Sequence, residues 1–199
     1  MRSQNPPCPW NENTCNAAAK EGKLDTLKWM RSQNPPCLWN ERTCMAAIMN
    51  RRIEVLIWAR SQNPPCPWDV NKCSDAAAST GNLEALKWIR TQHPRCLWDK
   101  YTYSAAARGG NLELLKWMRS QDSTCLWDED TCSDAARNGN LDLLKWLRSQ
   151  DPPCPWDEDA CNTAHRGGHL NLLRWMRAQN PPCPWDEYTR IMASKLGIY

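Results

Sequence analysis

The stretch Thr131–Gln150, "TCSDAARNGNLDLLKWLRSQ", contains the pattern that decides the fold. Its first part is rich in alanine, a strong helix former, and its second part repeats Leu and Trp at helical spacing. Gly139 stands between the two parts, where the end of a helix favours a residue with positive φ. The stretch therefore predicts two short helices joined by a tight turn.

Variants of this stretch recur along the 199-residue chain. Each second helix is followed by a loop with one cysteine, and successive loop cysteines are 29 or 30 residues apart, at Cys8, Cys37, Cys66, Cys96, Cys125, Cys154 and Cys183. Such a period is typical of solenoids and propellers. Proline ends each second helix in most copies, and Asp128 and Asp157 can cap the helices that follow. We predict an all-α solenoid of six helix-turn-helix repeats, with little room for strands.

The period divides one repeat domain, residues 1–199, into numbered repeats, each with a first helix A and a second helix B. Repeats 1 to 6 cover residues 11–39, 40–68, 69–98, 99–127, 128–156 and 157–185, with partial repeats at 1–10 and 186–199. The last partial repeat predicts a lone helix near Tyr188–Leu196. Terminal repeats need polar caps, and Ile191 and Leu196 are apolar, so we expect self-association or assembly through uncapped ends.

The repeated stretch resembles the ankyrin repeat, T-P-L-H-x-A-A-x-x-G-H-L-x-x-V-x-x-L-L. The matching residues are Thr131, Ala135, Ala136, Gly139, Leu141, Leu144 and Trp146. The resemblance recurs six times and is similar to divergent, Trp- and Cys-rich ankyrin repeats of algae and their viruses. It implies a protein-binding array. Cys replaces the Pro of the pattern, helix A is one residue longer in repeat 3 alone, and the stretch between Trp and Thr is too short for a full β-hairpin finger.

Tryptophan and cysteine are unusually frequent, with 13 Trp, 12 Cys and no Phe. Trp recurs in helix B and two residues after each loop Cys, where the ankyrin pattern has buried aliphatic residues, so we interpret both series as core. A second Cys follows the loop Cys by seven residues in most repeats, a spacing unlike that of zinc sites. We interpret the cysteines as buried thiols in a reducing compartment, with a bridge such as Cys154 to Cys161 left open.

Basic residues recur on helix B and form a predicted ridge. One series is Lys28, Lys87, Lys116, Lys145 and Arg174, and the other, three residues later, is Arg31, Arg60, Arg90, Arg119, Arg148 and Arg177. This ridge could follow a phosphate backbone, so nucleic-acid association is an alternative function. The net charge is only +3, and acidic residues lie one loop away, so we favour a solvated face whose side-chain stems cover Trp.

The sequence predicts neither an enzyme nor a cofactor or metal site. The three His residues share no partners at a recognisable spacing, and no glycine-rich phosphate loop is present. No apolar run approaches the length of a membrane span, and the first ten residues lack the apolar stretch of a signal peptide. We therefore expect an intracellular protein of the cytoplasm or nucleus, with no targeting signal.

Partner binding should use outward positions that differ between repeats. On helix A these positions follow a spacing of i, i+3, i+4 and i+7 and are expected to line a groove. Repeat 2 is the most divergent, since Arg51 replaces the turn glycine and Met and Ile replace polar residues. The predicted partner-binding residues are Arg42, Met45, Met49, Ile57, Tyr101, Arg108, Arg137 and Arg166.

The favoured function is a non-catalytic scaffold or adaptor that binds another protein through the helix A groove and the apolar patch of repeat 2. A structural linker subunit in a large assembly is a further alternative. Neighbouring subunits of such an assembly would cover the uncapped ends of the repeat array.

Overall fold

The computed structural model of the protein describes residues 10–92, 98–121 and 127–198. These residues contain thirteen α-helices of eight to ten residues and no strand, which confirms the all-α prediction. The helices are α1 Glu12–Lys20, α2 Leu24–Ser32, α3 Glu41–Met49, α4 Ile53–Ser61, α5 Val70–Ser79, α6 Leu83–Arg90, α7 Lys100–Arg108, α8 Leu112–Gln121, α9 Glu129–Arg137, α10 Leu141–Arg148, α11 Glu158–Arg166, α12 Leu170–Arg177 and α13 Glu187–Ser194.

The chain forms two compact units. The N-terminal unit contains residues 10–77 and 82–92 of the described chain, and the C-terminal unit contains residues 78–81 and 98–198. In the N-terminal unit α1 packs on α3, and each of these helices also packs on its own B helix. In the C-terminal unit α7, α9, α11 and α13 stack in order, while α8, α10 and α12 pack on the A helices that precede them. Each unit is therefore a stack of helix pairs.

Small residues on helix A and leucine on helix B explain this packing. Ala135 and Ala136 of α9 are fully buried, and the small side chains let neighbouring A helices approach closely. On α10 the residues Leu143, Leu144 and Leu147 are fully buried and form the apolar stripe of an amphipathic helix.

The turn between helix A and helix B uses a positive φ in both units. Gly139 has φ +68°, as the sequence predicts for the end of helix A, and the same holds at four other predicted turn glycines. Arg51 keeps this conformation in repeat 2 with φ +57°, a backbone region that costs a non-glycine residue about 1–2 kcal/mol. Repeat 2 thus retains the turn geometry without the residue that suits it.

Helix capping also follows the repeat. Asp157 accepts a hydrogen bond from the backbone N–H of Asp159 and caps α11 as predicted. Asp128 stands at the same position before α9, but its side chain makes no cap bond and instead pairs with Lys100 at 3.0 Å. The longer helix A predicted for repeat 3 is confirmed, because α5 has ten residues where α1, α3, α7, α9 and α11 have nine.

The tryptophan series does not form the centre of the core, so that interpretation is wrong for most of these residues. Trp29 of α2 is 48% exposed, and the other helix B Trp residues are partly exposed, whereas Trp98 and Trp127 are buried. Each described loop Trp, from Trp10 to Trp156, meets the helix B Trp of the following repeat edge to face at 5.2–6.1 Å between ring centroids. The physical reason is that leucine and methionine fill the inward stripe of helix B, which leaves Trp at the rim.

The nine described cysteines are all buried with free thiols, as predicted. Cys154 and Cys161, however, have different partners. Cys161 donates to the carbonyl oxygen of Cys183 at 3.7 Å, and Cys154 donates to that of Asp128 at 3.5 Å. These contacts lie within one repeat, from helix A or its N-cap to the loop after helix B, whereas Cys154 and Cys161 belong to repeats 5 and 6. Cys8, Cys96 and Cys125 lie outside the described residues.

Candidate partner-binding surface

The predicted outward face of helix A is exposed at the two ends of each helix, and among its middle positions Ala17 of α1 is exposed too. The first positions, including Arg42 and Tyr101, and the last positions, including Met49 and Arg108, are exposed. The middle positions are covered in the C-terminal unit, because Ser104, Ala105, Ser133, Asp134 and Asn162 are buried. The prediction that whole helix faces line a groove is therefore wrong at these positions.

Stacking of neighbouring A helices covers these middle positions. The hydroxyl of Ser104 on α7 donates to Asp134 on α9 at 2.6 Å, and the amide of Asn162 on α11 donates to Asp186, the N-cap of α13, at 2.9 Å. In the N-terminal unit Thr43 donates to Asn16 at 2.7 Å in the same way. Polar residues at these positions bond to the neighbouring helix and are not available to a partner.

Four of the eight predicted partner-binding residues lie in the C-terminal unit: Tyr101, Arg108, Arg137 and Arg166. All four predicted Arg residues, including Arg42 of the N-terminal unit, are exposed. Arg108, Arg137 and Arg166 end α7, α9 and α11, three A helices that stack in order. Tyr101 begins α7 and is 61% exposed. The structure thus places three of the four predicted Arg residues in a row across one stack of helices.

A buried carboxylate holds two members of this row. Asp134 is 4% exposed, and its two oxygens accept hydrogen bonds from Nε of Arg108 at 3.2 Å and from Nη2 of Arg108 at 2.9 Å. Nε of Arg137 lies 3.6 Å from the same carboxylate. The bond to Asp134 raises the pKa of Arg108 above its usual value. Sequence reasoning missed this role, since it placed Asp134 on the outward face.

The Arg108–Asp134–Arg137 cluster has a buried centre and an exposed rim. The two guanidinium side chains are each 60% exposed, although their shared carboxylate is buried. Two positive charges share one negative charge, so the cluster keeps an excess of one positive charge. A bidentate pair of this kind has a defined geometry as well as attraction, and it orients the exposed part of Arg108.

The other predicted residues lie in the N-terminal unit. Met49 at the end of α3 is 54% exposed, Ile57 on α4 is 41% exposed, and Arg42 at the start of α3 is exposed. Met45 is only partly exposed. The apolar side chains predicted for repeat 2 therefore do reach the surface, but they are divided between its A and B helices.

The basic ridge of helix B is largely committed to the fold. Nη1 of Arg31 donates to the carbonyl oxygen of Cys37 at 2.6 Å, and its guanidinium lies 4.0 Å from the ring centroid of Trp39. Arg60, Arg148 and Arg177 make the same two contacts with the Cys and Trp of the loops that follow them. This Arg series closes the loop onto the helix, whereas Lys28 and Lys145 remain exposed.

Two further structural observations concern other ligand classes. A shallow depression of about 600 Å³ lies at the turns of repeats 5 and 6, beside Gly139, Gly168 and His169, and no predicted partner-binding residue lines it. Within residues 10–92, 98–121 and 127–198 no three His, Cys, Asp or Glu side chains are grouped as a metal site. None of the helices among these residues combines the length and the apolar character that crossing a membrane requires.

Comparison with models of known protein families and with curated proteins found no match to this chain.

Proposed function

We propose that the protein is a non-catalytic interaction scaffold that binds an acidic segment of another protein. The observation that carries this proposal is the Arg108–Asp134–Arg137 cluster, in which a buried carboxylate orients the exposed guanidinium group of Arg108 by two hydrogen bonds and lies 3.6 Å from Nε of Arg137. A guanidinium group that is already oriented loses less side-chain entropy when it binds, so its hydrogen bonds contribute more to affinity. Its planar donors match a carboxylate.

Two further exposed side chains of the C-terminal unit fit the same kind of partner. Tyr101 is an exposed aromatic residue on the helix that carries Arg108, and aromatic residues often anchor protein interfaces. Arg166 extends the basic row to a third helix. An extended acidic peptide that crosses the ends of α7, α9 and α11 would meet one Arg on each helix.

Repeat 2 offers a second contact, made by Met49 and Ile57 in the N-terminal unit. An exposed apolar side chain among charged neighbours is typical of a contact patch. Since these two residues lie on different helices, each is a separate candidate contact of the scaffold.

As part of this proposal, the repeats belong to the ankyrin class and together form a solenoid. The support is the recurring residue pattern, the stacked A helices and the left-handed residue at each described turn. The loops of this chain are shorter than those of that class, so a partner would contact mainly the helices. The nucleic-acid alternative is less favoured, because four arginines of the basic ridge bond to loop carbonyl groups.

A peptide selection tests the proposed function. A random peptide library is selected on the full chain, and we expect enrichment of peptides rich in Asp and Glu. The double variant Arg108→Gln/Arg137→Gln should weaken binding of the selected peptides about 10-fold or more, since each charge-assisted contact contributes roughly 1.5–3 kcal/mol. The matched control Lys116→Gln/Lys145→Gln removes the same charge from helix B and should weaken binding less than about 3-fold. Equal losses in both variants, or enrichment of peptides without acidic residues, contradict the proposal.

A further inference from the structure

Buried cysteines form a pair within a repeat, and this pair recurs along the chain. A helix A cysteine lies beside the loop cysteine that follows it by 22 residues, since the thiols of Cys132 and Cys161 lie 3.7 Å from the carbonyl oxygens of Cys154 and Cys183. The four described pairs are Cys15 with Cys37, Cys44 with Cys66, Cys132 with Cys154, and Cys161 with Cys183. All eight residues are 0% exposed.

Backbone hydrogen bonds hold both thiols of a pair in place. The loop thiol of Cys154 donates to the carbonyl oxygen of Asp128, the N-cap residue of α9, at 3.5 Å. The thiol of Cys132 lies 3.7 Å from the carbonyl oxygen of Cys154. Cys183 repeats the first contact at Asp157, and Cys161 repeats the second at Cys183. The same register therefore recurs in successive repeats.

The residues around each cysteine pair favour disulfide formation over metal binding. No third His, Cys, Asp or Glu ligand joins either thiol within the described part of the chain. Two thiols in contact need no further ligand to form a disulfide, because the reaction joins their sulfur atoms directly. In the native fold the Cys seven residues after the loop Cys belongs to the next repeat and bonds elsewhere.

We propose that these pairs are sites of disulfide formation within a repeat, between helix A and the loop that follows helix B, with a low-molecular-weight disulfide such as glutathione disulfide as oxidant. The thiolate of one cysteine attacks a sulfur of the oxidant and releases one glutathione thiol. The thiolate of its partner then attacks the protein sulfur of this mixed disulfide and releases the second glutathione. Each pair loses two protons and two electrons, and one glutathione disulfide gains them and becomes two glutathione molecules.

Burial governs when the reaction occurs. Burial raises the pKa of Cys15 and of Cys154, so the thiolate that must attack is scarce in the folded state at neutral pH. The first step requires local opening of a repeat, and reclosing then returns the partner thiol to the mixed disulfide. Once formed, a bridge closes a loop of 22 residues and ties helix A to the loop at the end of the same repeat.

Disulfide mapping of the full chain tests the proposal without any substitution. The reduced protein is incubated with glutathione disulfide over a series of urea concentrations, free thiols are blocked with N-ethylmaleimide, and the unreduced protein is digested for mass spectrometry. Trypsin is combined with a glutamate-specific protease, because Glu158 separates Cys154 from Cys161 and Glu41 separates Cys37 from Cys44.

Below the unfolding midpoint we expect the four bridges with 22-residue spacing to dominate. Above the midpoint short loops close more readily, so bridges between cysteines seven residues apart should take over. Dominance of the seven-residue bridges below the midpoint, or stable mixed disulfides without any bridge, overturns the proposal. The bridged protein should also melt more than about 10 °C above the reduced protein.

Two variants check the pairing itself. Cys132→Ala should abolish one bridge, leave Cys154 as a mixed disulfide with glutathione and keep the other three bridges. Cys161→Ala should do the same for Cys183. Ser133→Ala, beside Cys132 on the same helix, is the matched control and should keep all four bridges. Loss of Cys132 with no change in the state of Cys154 would refute the pairing.

Discussion

The guanidinium group of Arg148 donates a hydrogen bond of 2.6 Å to the carbonyl oxygen of Cys154. The same guanidinium lies 4.2 Å from the ring centroid of Trp156. One Arg side chain thus binds the loop backbone and covers the loop Trp, which gives a physical reason for the repeated order of Arg, Cys and Trp in the sequence. Arg31, Arg60 and Arg177 have the same arrangement.

Arg148→Lys should lower the free energy of unfolding by about 1–2 kcal/mol. Lysine keeps the charge, but its ammonium group lacks the planar surface that stacks on Trp156 while it donates to Cys154. Urea unfolding followed by Trp fluorescence measures the change. The control Lys145→Gln alters an exposed residue of the same helix and should change stability by less than about 0.5 kcal/mol. A smaller loss for Arg148→Lys than for the control contradicts this role.

Arg51→Gly should raise the free energy of unfolding by about 0.5–1 kcal/mol. Glycine removes the strain of a residue with positive φ, and its extra freedom in the unfolded chain offsets part of the gain. The reverse change, Gly168→Arg, should destabilise by a similar amount, because φ is +71° there and a Cβ atom would meet nothing within 4 Å. Thermal unfolding of both variants checks the sign, and destabilisation by Arg51→Gly would be contrary to expectation.

Asp134→Asn should cost about 2–3 kcal/mol of stability. The substitution removes the buried negative charge that pairs with Arg108 and weakens the acceptor of the Ser104 hydroxyl. The control Asp130→Asn changes an exposed carboxylate of the same helix and should alter stability by less than about 0.5 kcal/mol. Chemical unfolding of both variants measures the two changes in stability. A small change of similar size in both would show that Asp134 does not stabilise the proposed cluster.

The buried thiols should make the reduced protein less stable at alkaline pH. Burial raises the pKa of Cys73 from the ordinary 9.0 to about 12 and also raises the pKa of Cys15 and Cys154. Above about pH 9 the unfolded chain loses these protons while the folded chain keeps them, so the folded state binds more protons and stability falls as pH rises. Below about pH 8 the thiols contribute their full stabilisation.

Urea unfolding of the reduced protein between about pH 7 and about pH 10 measures this loss, which approaches about 1.4 kcal/mol per pH unit for each buried thiol. Cys73→Ala removes one such thiol and should make the decline shallower by up to that amount. If the decline of stability with pH keeps the same slope in this variant, the protonation of Cys73 does not differ between the folded and the unfolded chain, which contradicts the prediction.

Local patterns predicted most of the helices, but the candidate site required spatial neighbours. The turn at Gly139, the extra residue of α5 and the helix that begins at Glu187 follow from residue types within one repeat. The burial of Asp134 does not, because helical periodicity identifies the side of a helix that faces its own partner and says nothing about the next A helix. The position of Trp29 at the rim was missed for a related reason, since Leu and Met already fill the inward stripe of helix B.

The sequence by itself determined the period, the helical character, the turns and the burial of thiols, because short-range preferences and helical spacing govern these properties. The tertiary structure decided which residues distant in sequence meet, both within a repeat and between repeats. It brought Cys132 beside Cys154 rather than Cys154 beside Cys161, bound Arg148 to a loop carbonyl, and placed Asp134 beneath Arg108 and Arg137. The first two contacts depend on how the loop folds back onto the helices of its own repeat, and the contact of Asp134 with Arg108 depends on the distance and rotation between adjacent repeats.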